Sequence, residues 1–169
     1  MSDVVVDTNV VLVANGQHGD VSPDCVATCA KRLQAVMQNG KLALDDGFLI
    51  LSEYQNKTKS KVGKGSGDAF VKWALQNHAN PLRVDSVELQ EHDERAFVSF
   101  PDDPDLENFD LSDRKFVAVA AAHLKKPPIL QATDSKWLNW EKPLRRYGIT
   151  VEFLCPNDIA RFKANKSKP

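Results

Sequence analysis

Long apolar runs are missing from this sequence. No stretch approaches the roughly 20 residues that a bilayer-spanning helix needs, so a membrane protein of the helical type is not expected. An excess of charge of one sign is missing too: 22 Lys and Arg stand against 23 Asp and Glu, for a net charge of −1. No global field therefore points to nucleic acid or to a membrane surface, and an anion would have to be met by a local patch. The N-terminus carries acidic Asp3 and runs straight into an apolar strand. It has no basic head or small-residue cleavage site of a signal peptide, and a cytoplasmic location is the expectation.

Cysteine is scarce, with three residues in 169. Cys25, Cys29 and Cys155 make neither an even framework nor a C-x-x-C pair, and no paired histidines stand near them. They are read as buried free thiols rather than as a zinc site. A nucleotide-binding glycine loop is also absent. Gly63-Lys64-Gly65-Ser66-Gly67 lacks the order G-x-x-x-x-G-K-[ST], and no strand precedes it. There is no internal repeat. His18, His78, His92 and His123 fall outside every motif and are read as structural or surface residues.

What is present is an ordinary globular composition, 42% apolar and 27% charged, in a chain long enough for one domain with a real core. Val4-Val5-Val6-Asp7-Thr8-Asn9 reads as a strand buried on both faces that stops on an acid. Pro128-Ile129-Leu130-Gln131-Ala132-Thr133-Asp134 does the same late in the chain. Ser22-Pro23-Asp24 starts a helix and Asn39-Gly40 stops it. Leu42-Ala43-Leu44 and Leu82-Arg83-Val84 read as short strands. Helices are expected over 48–59, 68–77 and 87–97, after a Ser112 cap, and around Trp137 to Leu144. Val151 to Leu154 is a last strand. Strands alternate with helices, so the expected class is α/β: a three-layer, Rossmann-like fold on a mostly parallel central sheet.

Ligand sites of such sheets lie outside the carboxyl ends of the strands. Asp7 and Asp134 stand there. Asp113 opens the buried helix that leads into the strand at 128–133, and Glu53 lies on the helix after the second strand. Carboxylates gathered in one crevice repel, by roughly 4 kcal/mol per pair at 4 Å and an effective dielectric of 20. A hard divalent cation relieves that repulsion, so metal-dependent chemistry is the leading expectation. Lys57, Lys59, Lys61 and Lys64 follow Glu53 with no acid before Asp68. They are read as a flexible loop that could hold substrate phosphates. Trp137 and Trp140 are read as core rather than as base-stacking platforms. A phosphatase with an aspartyl nucleophile would want a second Asp two residues after the first, where this chain has Asn9.

Taken in order, Val-Val-Asp-Thr-Asn at the N-terminus, Leu-Ser-Glu-Tyr on a helix, Ser-Asp-Arg-Lys-Phe-Val-Ala-Val-Ala, and Ile-Leu-Gln-Ala-Thr-Asp-Ser-Lys-Trp resemble a PIN domain. The resemblance runs from about residue 3 to 154. It implies a nuclease domain over 1–155, with a short C-terminal helix and basic tail over 156–169. It implies Mg²⁺ or Mn²⁺ held by Asp7, Glu53, Asp113 and Asp134, with Asn9 steadying the first acid. It also implies single-stranded RNA as substrate and a toxin role with an antitoxin partner, as in many small bacterial PIN proteins. A homodimer is a further expectation. Two positions depart from the family's Thr-x-Asp-x-Asp-Phe: Ala132 replaces Thr, and Lys136 replaces the second Asp. Asp110 is then the candidate outer ligand, and Lys136 a candidate anion contact. The departures favour an alternative, a catalytically weak PIN-like module that binds RNA or protein.

Overall fold

A computed structural model describes residues 2–166 of the chain. Five parallel strands form the central sheet: β1 (Asp3–Val6), β2 (Lys41–Asp45), β3 (Val84–Val87), β6 (Ile129–Gln131) and β7 (Val151–Phe153), in the order β3-β2-β1-β6-β7. The chain winds outward from β1 to β3 on one side and resumes at β6 on the other. The switch point lies between β1 and β6, where open sheets of this kind leave a crevice at their carboxyl ends. All four residues of β1 are buried, as its unbroken apolar run requires. The fold class is the α/β, Rossmann-like architecture expected from the strand–helix alternation.

Helices α1 (Thr8–Ala14), α2 (Pro23–Asn39), α3 (Leu49–Lys57), α4 (Ser66–Asn77), α5 (Arg114–Ala122), α6 (Trp137–Arg145) and α7 (Pro156–Lys166) flank the sheet. The expected start of α2 is present: Pro23 is its first residue, and the Ser22 hydroxyl accepts from the Cys25 N–H at 3.2 Å. Gly67 lets α4 cross α1 closely, since a Cβ there would lie 2.3 Å from the Val11 carbonyl oxygen.

Several expectations need correction. Residues 8–14 form the helix α1, which is not among the helices expected from the sequence. Val10, Val11 and Val13 lack helical propensity, but each is fully buried, and packing overrides propensity. The third strand is Val84–Val87 rather than 82–84. Residues 87–97 are not a helix; they hold a small antiparallel hairpin, β4 (Glu91–His92) and β5 (Ala96–Phe97). The His92 ring accepts from the N–H groups of Glu94 and Arg95, which closes a tight turn in place of a helical one. Ser112 lies inside a 3₁₀ turn, Leu111–Asp113, and Asp113 takes the cap position of α5 without any side-chain cap bond. Cys25 and Cys155 are not free thiols. Their Cα atoms are 5.4 Å apart and the sulfurs are bonded, joining α2 to the start of α7. Cys29, one turn on from Cys25, remains a free buried thiol that burial pushes up to about 12.

The segment after α3 is tethered, not a loose connection. Asp68 accepts from the N–H groups of Lys59 and Gly65 and from the Asn15 amide at the end of α1. Among the described residues, no helix is long and apolar enough to cross a membrane. The α7 helix stands where a short C-terminal helix was expected; the last part of the basic tail, residues 167–169, lies outside the described residues.

Candidate functional site

The crevice at the switch point is built from the turn that ends β1, the turn that ends β6, and the entry to α5. Asp7 follows β1 and caps α1: its Oδ1 accepts from the Asn9 N–H at 2.9 Å. Its Oδ2 accepts from the Gln131 amide at 2.8 Å, in surroundings where Gln131 is fully buried. Gln131 in turn accepts, through Oε1, from the backbone N–H groups of Ala132 and Asp134. One side chain thus fixes both strand-end acids. Asn9 Oδ1 accepts from the Thr133 N–H at 2.8 Å and from its hydroxyl at 3.0 Å, stitching the β1 and β6 turns together.

Asp113 enters from the other side. It is placed by Arg114, a buried residue whose guanidinium donates to the carbonyls of Phe109 and Glu107 and sits 4.5 Å from the centre of the Phe100 ring. Phe109 itself is wedged against Trp137 and Trp140, at ring separations of 5.0 and 4.2 Å. This packing holds the acidic loop 101–110 against the body of the molecule. One carboxylate oxygen from each of Asp110, Asp113 and Asp134 lies within 4.8 Å of the others.

Glu53 completes the group from α3. It accepts from the Thr8 hydroxyl and, at 2.9 Å, from the Lys115 ammonium. Lys136 donates to Asp110 at 3.0 Å.

The electrostatics follow from this crowding. Burial pushes the Asp7 carboxyl up to about 8, helped by the charges of Asp113, Asp134 and Glu53 and opposed by the Asn9 N–H. Burial likewise pushes Asp113 up to about 6, with Asp134 and Asp110 adding to the shift and Lys115 opposing it. Five carboxylates face two ammonium groups. The donors are all hard oxygens, with no thiolate or imidazole among them. That donor set and the negative charge left after the two ion pairs fit Mg²⁺ or Mn²⁺ better than a soft-ligand metal.

Asp7, Glu53, Asp110, Asp113, Asp134, Asn9 and Lys136 are therefore brought to one place. Lys57, Lys59, Lys61 and Lys64 are not part of it. They are exposed at the last residue of α3 and on the segment beyond it, which is bonded through Asp68 to Asn15 at the far end of α1 rather than to the crevice. Thr8, Lys115, Gln131 and Thr133 belong to the site and were missed in the sequence. A polar Gln inside an apolar strand was the available signal for Gln131; Lys115 offered none beyond its place two residues after Asp113. Asp45 shows why strand-end acids alone are not diagnostic. It ends β2, but both its oxygens are taken by the Leu49 and Ile50 N–H groups at the start of α3.

A cavity of about 770 Å³ opens beside Asp134, lined by Asn9, His18, Thr133, Arg161 and Phe162. Arg161 lies over the Phe162 ring, and His18 packs 5.6 Å from it. Compared with protein-family models, with curated proteins and with solved structures, the chain matches none.

Proposed function

We propose that this protein is a Mg²⁺- or Mn²⁺-dependent endoribonuclease of the PIN type, and that its four acids do the work the sequence resemblance assigns to them. The observation that carries the reading is the meeting of Asp7, Glu53, Asp113 and Asp134 at the switch point, with Asp7 and Asp113 held above the usual carboxylate range. Acids so crowded are stable together only if protonated or if a cation joins them. Asp7, Asp113 and Asp134 would hold the ion, with Asp110 at its edge. A bound divalent cation supplies an activated water and neutralises charge building on the phosphate. Glu53, fixed by Thr8 and Lys115, would accept a proton from such a water. Gln131 and Asn9 keep the ligands in register. The cavity beside Asp134 offers a path for single-stranded RNA, with Arg161 for a phosphate and Phe162 for a base.

A toxin role with an antitoxin partner, and a homodimeric state, rest on the same resemblance. An RNA-cleaving toxin would meet its substrate in the cytoplasm, where the Cys25–Cys155 bond would be reduced. A second reading is favoured by one observation. Lys136 and Lys115 already neutralise Asp110 and Glu53. A site so compensated suits a weakly active module that binds RNA or protein. Incubation with single-stranded RNA and Mn²⁺, with and without a chelator, separates the two. Chelator-sensitive cleavage is expected; binding without cleavage supports the module.

A further inference from the structure

At the opposite end of β1 from Asp7 lies a second polar cluster, with no role in the chemistry above. Asp3, Lys41 and Asp85 come from three adjacent strands. Asp3 pairs in register with Lys41 and Ala43 with Asp85, so their side chains share one face of the sheet. His123, the residue that caps the end of α5, covers that face. Its Nε2 lies 2.9 Å from Asp85 Oδ2 and 3.0 Å from Asp3 Oδ2.

Two features set this cluster apart from a finished ion-pair network. The Asp3 side chain is only 1% exposed, and neither of its oxygens has a hydrogen-bond donor. The single proton at His123 Nε2 is aimed at Asp85, because Nδ1 accepts from the Lys125 N–H at 3.0 Å. Lys41 is bonded to the other oxygen of Asp85, at 2.6 Å, which leaves Oδ2 facing inward. A buried carboxylate without a donor is costly. Polar groups in this state mark a missing partner.

We propose that Asp3, Asp85 and His123 form a binding site for a zinc-type divalent cation, with two carboxylate oxygens and one imidazole nitrogen as ligands. The spacing fits: one ligand atom from each residue lies within 4.8 Å of the others. Contacts of 2.9 and 3.0 Å between the imidazole nitrogen and the carboxylates are hydrogen-bond spacings; around a tetrahedral ion with bonds of about 2.0–2.2 Å the same atoms would stand about 3.3–3.6 Å apart, so the cluster would open by about half an ångström on binding. The mixed nitrogen and oxygen set separates this site from the all-oxygen crevice and selects Zn²⁺ over Mg²⁺. The carboxyl end of α5 adds negative potential at the same spot. On binding, the ion takes the place of the Nε2 proton, and the imidazole carries its proton on Nδ1 instead. The Nδ1–H and the Lys125 N–H, now 3.0 Å apart, would then be two donors face to face, so binding also requires the exposed turn at Lys125 to move away. Asp85, His123 and Lys41 also line a cavity of about 780 Å³, so a fourth position opens toward solvent. Three protein ligands with one open position is the pattern of a site that binds a further ligand, not of a closed structural zinc.

The test uses the full chain with its disulfide intact. Zn²⁺ is titrated by calorimetry in millimolar Mg²⁺, so that the acidic crevice is not the preferred site. One equivalent should bind, and Asp3→Asn and His123→Gln should each weaken it at least tenfold. Because either variant could fold poorly, ¹⁵N spectra of the unmutated protein give a second readout: Zn²⁺ should move the His123 Nε2 resonance from a protonated to a metal-bound shift. Absence of stoichiometric binding would overturn the proposal. So would binding that both folded variants retain, or a His123 Nε2 that keeps its proton in saturating Zn²⁺.

Discussion

At the scale of single residues, Asp7 carries the most weight. Its folded carboxyl sits at about 8 against an unfolded value of 3.8. A raised carboxyl binds its proton more tightly in the folded state, so its stabilising contribution is full below pH 3.8 and is lost as pH rises through 8. The metal-free protein should therefore unfold at lower temperature at pH 8 than at pH 5. At neutral pH the penalty is on the order of a few kcal/mol. Asp7→Asn removes that penalty but satisfies only one of the two donors from Asn9 and Gln131, a cost of roughly 1 kcal/mol. In chelator at pH 8 the variant should melt higher than wild type, and near pH 4 the advantage should vanish. RNA cleavage should fall at least ~100-fold in the same variant. Thermal melts across pH and a single-turnover cleavage assay check the two halves separately. Gln131→Leu asks a different question, since it leaves every acid in place. Removing a side chain that orients metal ligands typically costs about 10–100-fold in affinity. Calorimetry with Mn²⁺ should show that drop, and undiminished affinity would remove Gln131 from the site.

Among the elements, the segment after α3 provides the clearest contest between sequence and structure. Four lysines without an intervening acid read as a cationic arm, yet Asp68 and Asn15 bind that arm to the back of α1. If it still reaches RNA, replacing Lys57, Lys59, Lys61 and Lys64 with Gln should flatten the log–log salt dependence of binding by about 0.7 for each phosphate that is no longer neutralised. An unchanged slope would assign the phosphates to Arg161, Lys115 and Lys136 instead. The same contest explains what could be read beforehand. The strands β1 and β6 were legible because an unbroken apolar run ending on an acid has few other meanings in an α/β chain. The α2 boundaries were legible because Ser-Pro-Asp and Asn-Gly act locally. The α1 helix was not, because its valines favour strand and only burial makes them helical. The β4–β5 hairpin was hidden too, since it depends on the His92 ring bonding two backbone N–H groups. In the site, Asp7, Asp113 and Asp134 were legible from their places at element ends, whereas Glu53, in the middle of α3, stood out through the family resemblance. The residues that hold them were not, because Arg114, Gln131 and Lys115 make bonds whose partners no local pattern records.

On the scale of the whole molecule, metal and stability are linked. An ion that binds only the folded state at 100-fold over its Kd stabilises it by about 2.7 kcal/mol. Millimolar Mn²⁺ should raise the melting temperature of wild type and leave the Asp7→Asn, Asp113→Asn double variant unmoved. The ion also displaces protons from Asp7 and Asp113, so the rise should be larger at pH 8 than at pH 5. Equal shifts in wild type and double variant would detach the stabilisation from the crevice.

The bond between Cys25 and Cys155 makes most of the chain a covalent ring. Glu53, Asp110, Asp113 and Asp134 are all inside it; Asp7 is not. Strand β1, the central strand of the sheet, lies outside the ring. A protease that nicks any one peptide bond between residues 25 and 155 leaves the molecule in one covalent piece until a reductant is added. A cut in the mostly exposed turn at 16–20 does the opposite, freeing the peptide that carries Asp7 from a ring that carries the other acids. The candidate site is thus split between two separable pieces of chain, and the affinity of that peptide for its ring can be measured as an ordinary bimolecular association.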